Sequence, residues 1–332
     1  LSMVAGGAPI THRTLTLDGG LRMHVAEAGA KGPLVVLLHG WPDCWYSWRH
    51  QLPALAAAGY RAVAPDQRGC GETDVPPHVA DYTIEHLVGD VTALIEALGE
   101  TRAILVGHDL GALVAWDTAK KRPERVAAVA ALNMPDRFAE PSEPYPRPVE
   151  ALRTARGDGF FAVRLQRPGA DDAALTAEFE RDPQRLVRRV LYTGSGESPV
   201  WHGMIPDGGT IVDALRDDRL PAWASEDDVK VYAALFERSG FTGGLNWFRN
   251  MDSNWELSEP WRANPVEAPA MFLIGDREGD YGSQAMLDLL SGRSGSVPDL
   301  RDALVLAGCG HWIHQERPEE VNEALIEFLG SL

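Results

Sequence analysis

The residues richest in chemical content form the pentapeptide Gly107-His108-Asp109-Leu110-Gly111. An apolar run, Ala103-Ile104-Leu105-Val106, precedes it, and a helical pattern from Ala112 to Lys121 follows. The spacing predicts a strand, a sharp turn and a helix, with the central side chain of the turn thrust out at the strand end. Glycines two before and two after that centre remove side chains that would crowd the neighbours of a strained turn. Most such turns present serine; this one presents Asp109. A carboxylate attacks alkyl carbon and leaves an ester that water can open. The turn therefore implies cleavage of a carbon–oxygen or carbon–halogen bond rather than routine ester hydrolysis. Taken alone, the pentapeptide also fits a plain helix N-cap aspartate behind a buried strand.

Three further segments raise the chemical reading. His39-Gly40-Trp41-Pro42 follows the apolar run Leu34–Leu38, where a glycine-containing loop can aim a backbone N–H at a reacting centre. The N–H groups of Trp41 and Leu110 are the expected pair of oxyanion donors. Gly275-Asp276-Arg277-Glu278 follows the run Met271–Ile274 and offers a carboxylate. Gly308-Cys309-Gly310-His311-Trp312 follows the last apolar run and offers His311 as a base. The chain order is nucleophile, acid, histidine, each at a strand's C-terminal end.

The elements that must position these groups alternate strand and helix. Strands are expected at Arg13–Leu17, Leu21–Glu27, Leu34–Leu38, Arg61–Pro65, Arg102–Val106 and Val126–Leu132, with helices at Trp45–Ala58 and from Thr83 to Leu98. From about Pro135 to Pro265 the pattern turns helical and irregular. Strands then resume at Ala270–Ile274 and Ala303–Leu306, before a last helix at Glu319–Leu329. This reads as an α/β sheet core, residues 3–134 and 266–332, with a helical lid inserted at 135–265.

His39-Gly40-Trp41-Pro42-Asp43, Trp45-Tyr46-Ser47-Trp48-Arg49, Asp66-Gln67-Arg68-Gly69, Gly107-His108-Asp109, Gly310-His311-Trp312 and Glu316-Arg317-Pro318 resemble the epoxide hydrolases of the soluble type, which have the α/β-hydrolase fold. Gly240 to Asn250 also matches, and the resemblance covers nearly the whole chain. It implies a mostly parallel sheet flanked by helices, with an inserted helical lid domain. In that family an aspartate attacks an epoxide carbon, two lid tyrosines hydrogen-bond the epoxide oxygen and protonate the alkoxide, and a histidine–carboxylate pair activates water. Carried over, Asp109 is the nucleophile and His311 the base. The family's Gly-x-x-Asp position holds Glu278, with Asp276 or Asp280 able to substitute.

The chain departs from the family at the tyrosines. The pattern Leu-Asn-Trp-Tyr-Arg-Asn appears here as Leu245-Asn246-Trp247-Phe248-Arg249-Asn250. Counting back from Gln166-Arg167-Pro168-Gly169 puts the second position on Phe161, with Phe160 as the alternative. Both phenols are expected to be phenylalanine. Acid help to an alkoxide is worth roughly 10²–10⁴-fold, so a substitute donor is wanted from Tyr145, Tyr192, Tyr232, Trp201, His202 or Trp247. An indole can polarise the oxygen but not give up its proton. The alternative is an epoxide activated by an aromatic or allylic system, as suits bacterial secondary metabolism. Phe161 and Phe248 are expected in the pocket roof, with Trp45, Trp247, Trp312 and Tyr192 as walls around a small apolar or aromatic substrate. Two other readings stand beside this one. A haloalkane dehalogenase-like hydrolase would need no acid, but Leu110 stands where a halide-binding tryptophan is usual. A non-enzymatic ligand-binding member of the fold would fit the missing phenols.

Bulk properties narrow the partners. A net charge of -17 over 332 residues, with acidic residues scattered, argues against nucleic acid. No apolar run suggests a membrane span, and no signal peptide is expected at the N-terminus. Leu1-Ser2 before Met3 reads as a remnant of cloning. Three cysteines without metal spacing suggest a reducing cytoplasm. No cofactor or metal is expected, and a monomer or homodimer is. Arginine far outweighs the four lysines, which points to a GC-rich bacterial source.

Overall fold

The computed structural model describes residues 8–136, 147–166, 170–216, 219–279, 281–292 and 294–332. Strands β1 (Thr11–Thr16), β2 (Arg22–Ala28), β3 (Leu34–Leu38), β4 (Arg61–Pro65), β5 (Ala103–His108), β6 (Val126–Leu132), β7 (Ala270–Gly275) and β8 (Leu300–Leu306) form one sheet. Their order is β1-β2-β4-β3-β5-β6-β7-β8. The β1–β2 and β2–β4 pairs are antiparallel, and the other pairs are parallel. β3, β5 and β7 are buried at every position, as continuous apolar strands covered on both faces must be.

Alternate side chains feed two cores. Val36, Leu38 and Leu105 pack with helices α2 (Ile84–Ala97) and α3 (Leu110–Lys121). Val35, Leu37, Ile104 and Val106 pack on the other face with α1 (Gln51–Ala57) and the C-terminal helix Pro318–Gly330. The winding direction reverses between β3 and β5, so the C-terminal ends of these two strands open a crevice, the usual ligand position in such sheets. Trp41 and Asp109 leave the sheet there.

Among the described residues, eight helices lie between β6 and β7: α4 (Pro148–Arg156), α5 (Phe161–Arg164), α6 (Ala170–Arg181), α7 (Pro183–Gly194), α8 (Ile211–Ala214), α9 (Glu226–Ser239), α10 (Thr242–Arg249) and α11 (Met251–Leu257). Helices α12 (Gln284–Leu290), α13 (Ile313–Glu316) and α14 (Pro318–Gly330) complete the chain. A third apolar cluster joins Phe179, Leu186 and Phe248 of these intervening helices, and Phe241 just before α10, to Cys44 and Trp312 of the core. Polar clamps reinforce it. Trp247 Nε1 donates to Arg68 O (3.1 Å), Tyr46 Oη to Asp228 Oδ1 (2.9 Å) and Gly196 N to Glu316 Oε2 (2.9 Å).

Local boundaries differ from the sequence expectation where particular residues intervene. The helix expected over Trp45–Ala58 is a 3₁₀ turn at Trp45–Trp48 followed by α1. Pro53 sits in the first turn of α1, where its missing N–H costs nothing. Thr83 precedes α2 but does not cap it with its side chain; Asn254 Oδ1 accepts the Ile84 N–H at 2.7 Å, and Thr83 pairs with His86 Nδ1 instead. The last helix starts one residue early, at Pro318, because proline is favoured at a first helical position.

Candidate active site

Asp109 ends β5 and precedes the first residue of α3 with φ 51° and ψ −125°, one of two non-glycine residues with positive φ among the described residues. Such a conformation costs about 1–3 kcal/mol and persists only where its surroundings enforce it. The glycines supply that enforcement. A Cβ on Gly107 would meet Ala112 Cα at 2.5 Å, one on Gly111 would meet His39 O at 2.5 Å, and one on Gly40 would meet Asp109 Cβ at 2.5 Å. The elbow and the Gly40 loop therefore touch with no room for a side chain between them. Trp41 N donates to Asp109 Oδ2 at 3.0 Å. The Leu110 N–H acts on the same carboxylate.

His311 follows β8, and its Nδ1 lies 2.8 Å from Glu278 Oε2 on the loop after β7. Its backbone is held from both sides. His311 N donates to Gly194 O at the end of α7 (2.6 Å), while His108 Nε2 (2.7 Å) and Asn133 Nδ2 (2.5 Å) reach His311 O from beneath. Asp276, an alternative orienter, accepts the Gly308 N–H at 2.7 Å and braces the loop instead. Asp280 lies outside the described residues.

The electrostatics set two protonation states. Burial raises the Asp109 carboxyl above its ordinary value, opposed by His311 and by the N–H groups of Trp41 and Leu110. Burial works to lower His311, but the charge and hydrogen bond of Glu278, with Asp109 next, prevail and hold it up to about 9. At neutral pH the His311 imidazolium thus sits between Asp109 and Glu278. Loss of charge on Asp109 would remove one of the causes that keeps it protonated.

Asp109, His311 and Glu278 open onto a cavity of about 630 Å³ beneath the intervening helices. Phe161, Phe248, Trp247, Trp312, Trp41 and Leu110 all stand on its wall. The Phe161 and Phe248 rings meet edge to face at 5.9 Å, Phe248 meets Trp41 at 5.4 Å, and Phe161 meets Trp201 at 5.4 Å.

Two expected wall residues are elsewhere. Trp45 packs edge-on against His12 (4.7 Å) and Tyr46 (5.4 Å), drawn to the β1–β2 side by its N–H bond to Asp66 Oδ1. Tyr192 points away because α7 turns Val190, Thr193 and Gly194 to the cavity, one helical face that excludes it. Its ring lies under the Arg219 guanidinium at 5.9 Å. Among the expected substitute donors, Tyr232 is buried with its hydroxyl on Gln315 Oε1 (3.1 Å), and Tyr145 is outside the described residues. Trp247 spends its N–H on Arg68 O. Trp201 and His202 stand on the cavity wall.

The sequence reading missed a buried trio under the base. Asp43, His108 and His314 are 0% exposed, and their ligand-type atoms lie within 4.8 Å of one another. Burial pushes the Asp43 carboxyl up to about 7 and both imidazoles well down. The His108 ring lies 4.6 Å from that of His311. These are metal-ligating residue types, and the trio is sealed from the cavity's solvent. The available signal was adjacency: Asp43 ends the His39–Asp43 motif and His108 precedes Asp109. The apolar lining from Phe179, Leu186 and Phe241 carried no comparable signal, since such residues in a helical region read as ordinary core.

The model of the alpha/beta hydrolase fold matches residues 33–318. Epoxide hydrolase A of Mycobacterium tuberculosis is 40% identical over 335 residues, covering 98% of this chain and 99% of its own length. Epoxide hydrolase 1 of Siraitia grosvenorii is 37% identical over 322 residues, covering 96% of this chain and 98% of its own. Among solved structures, an epoxide hydrolase from an endophytic Streptomyces superimposes with a TM-score of 0.88 at 40% identity, over 97% of this chain and 95% of that one.

Proposed function

The chain belongs to the alpha/beta hydrolase fold family and, within it, to the epoxide hydrolases; from that premise we propose that it opens an aromatic or otherwise activated epoxide through an ester on Asp109. The observation that carries the roles is the facing arrangement of a carboxylate held by two N–H groups and a histidine held by a second carboxylate.

Asp109 Oδ2 is occupied by the Trp41 N–H, which leaves Oδ1 to attack the epoxide carbon. The attacked C–O bond breaks, and its electron pair stays on the former ring oxygen, which takes a proton. Forming the ester neutralises Asp109, so His311 loses one of the charges that holds it protonated, gives its proton to solvent and becomes competent as a base. Neutral His311 then takes a proton from water as that water attacks the ester carbonyl, and Glu278 stabilises the imidazolium formed. The oxyanion of the tetrahedral intermediate develops on Oδ2, where the Trp41 N–H already points, with the Leu110 N–H acting on the same carboxyl group. Its collapse frees the diol and restores the carboxylate.

The aromatic wall of Phe161, Phe248, Trp201 and Trp41 supports a flat apolar or aromatic substrate. A ring or double bond next to the epoxide spreads charge in the opening step and lessens the need for the phenols that Phe161 and Phe248 do not supply. A role in bacterial secondary metabolism follows from such a narrow substrate class. Three buried free cysteines support a cytoplasmic enzyme, acting as a monomer or homodimer. No helix among the described residues is long and apolar enough to cross a membrane. The test is diol formation from a panel of aryl and alkyl epoxides, with Asp109→Ala as control. Aryl epoxides are expected to turn over faster than alkyl ones and to depend wholly on Asp109. Diol formation that survives Asp109→Ala would sink the assignment.

A further inference from the structure

The opened ring oxygen needs a proton, and among the described residues no tyrosine lines the cavity. The hydroxyls of Thr193, Ser258 and Ser283 and the indoles on the wall are too weakly acidic to give one up at neutral pH, and Arg277 keeps its own. Asp136 is ion-paired to Lys120 at 2.6 Å. Asp117 stands eight residues along α3 from Asp109, a rise of about 12 Å. Imidazole is the side chain that exchanges a proton between about pH 5 and 8. Two histidines line the cavity, His311 and His202.

The segment carrying His202 is fixed at two ends of the reaction zone. Gly203 O accepts the Phe161 N–H at 2.8 Å, the Trp201 ring lies on Phe161, and Phe160 bridges Met204 in antiparallel pairing. On the other side, Gly279 packs so closely on Trp201 O that an added Cβ would sit 2.6 Å from it. Gly279 directly follows Glu278, which holds His311. His202 is thus suspended between the phenylalanine that stands at a family phenol position and the carboxylate of the base, with its side chain exposed enough to exchange protons with solvent.

We propose that His202 is the acid of the ring-opening step, an inference that rests on the epoxide-opening reading above. As Asp109 Oδ1 bonds the carbon, the C–O electron pair goes to the ring oxygen and takes the proton from the His202 imidazolium. His202 is left neutral and regains a proton from solvent, while His311 gives its resting proton to solvent once the ester has formed and keeps the one it later takes from water. The division of labour gives two histidines with opposite pH demands. His202 works protonated in the first step, and His311 works neutral in the second. The charged groups that share its wall are Arg277, Glu278, Asp109, Asp117, Asp136 and His311, with Arg156 over the Phe160 ring at 5.5 Å.

The experiment isolates the first step in His311→Gln, where the ester forms but is not hydrolysed. Styrene oxide is mixed with excess enzyme, quenched, and the adduct on Asp109 is followed by intact mass across pH. The ester is expected to form more slowly as pH rises. Adding His202→Gln should slow it by about 10²-fold or more and flatten the pH dependence. Adding Phe248→Tyr to that double variant should restore the rate by supplying a phenol. Equal rates and equal pH slopes with and without His202 would overturn the inference and leave the epoxide reading intact. A loss without any change in pH slope would reduce His202 to packing. Absence of the adduct from His311→Gln with every epoxide tried would overturn the epoxide reading and the inference together.

Discussion

The floor and the roof of the cavity are held by different means. Asp109 is fixed by its own strained backbone, by glycines that leave no space beside it and by two N–H groups; His311 is fixed by a carboxylate and by hydrogen bonds to its backbone from two sides. Phe161 and Phe248 are held by ring contacts with one another and with Trp41 and Trp201. A floor built this way has one working arrangement, because each group's protonation depends on its neighbours. A roof built of ring contacts can gain or lose a single hydroxyl while keeping its shape. The same floor can therefore serve different substrates according to what the roof offers the ring oxygen.

The largest expected effect comes from the floor. His311→Gln should abolish steady-state turnover, by on the order of 10⁴-fold or more, while leaving the first step working. Stoichiometric added mass on Asp109 after incubation with a turned-over epoxide is the expected readout; normal turnover would mean that the base is elsewhere. A smaller effect, of opposite sign, is expected from the roof. Phe248→Tyr should raise kcat/KM on simple alkyl epoxides by about 10- to 100-fold and change aryl epoxides less. An unchanged alkyl rate would mean that the roof's missing hydroxyl is not what limits the enzyme.

The smallest effect tests how the floor's charges are coupled. Asp109→Asn removes a carboxylate that favours the His311 imidazolium, so the His311 titration should fall from about 9 toward neutrality. Ester hydrolysis then rises with pH over a window that ends below 9, because His311 must be neutral while Asp109 carries no charge. An NMR titration of His311 unmoved by the Asn substitution would show that Glu278 alone sets it.

The floor was readable in the sequence because its parts are tied to strand ends. An apolar run fixes where a strand stops, and glycines mark where the chain must turn sharply, so Trp41, Asp109 and His311 could be named from spacing, while Glu278 was set apart from Asp276 and Asp280 by the family resemblance. The roof was readable only where the family resemblance supplied positions, at Phe161 and Phe248. Trp45 and Tyr192 show why aromatic character alone misleads: the first is half-buried and the second buried, each in a packed layer away from the cavity. A helix turns side chains every 100° or so, and the offset that brings Thr193 to the cavity and turns Tyr192 away depends on how α7 docks. That docking is tertiary, set by contacts such as His311 N with Gly194 O, and leaves no local trace in the sequence.

The central claim is that Asp109 itself bonds the substrate carbon. Single turnover of styrene oxide by excess enzyme in oxygen-18 water tests it most directly. The account predicts an unlabelled first diol, its new oxygen drawn from the Asp109 carboxylate, with the label appearing in the Asp109 peptide afterwards. Label in the first diol and none in that peptide would mean that water attacks the epoxide directly, and would contradict the covalent route.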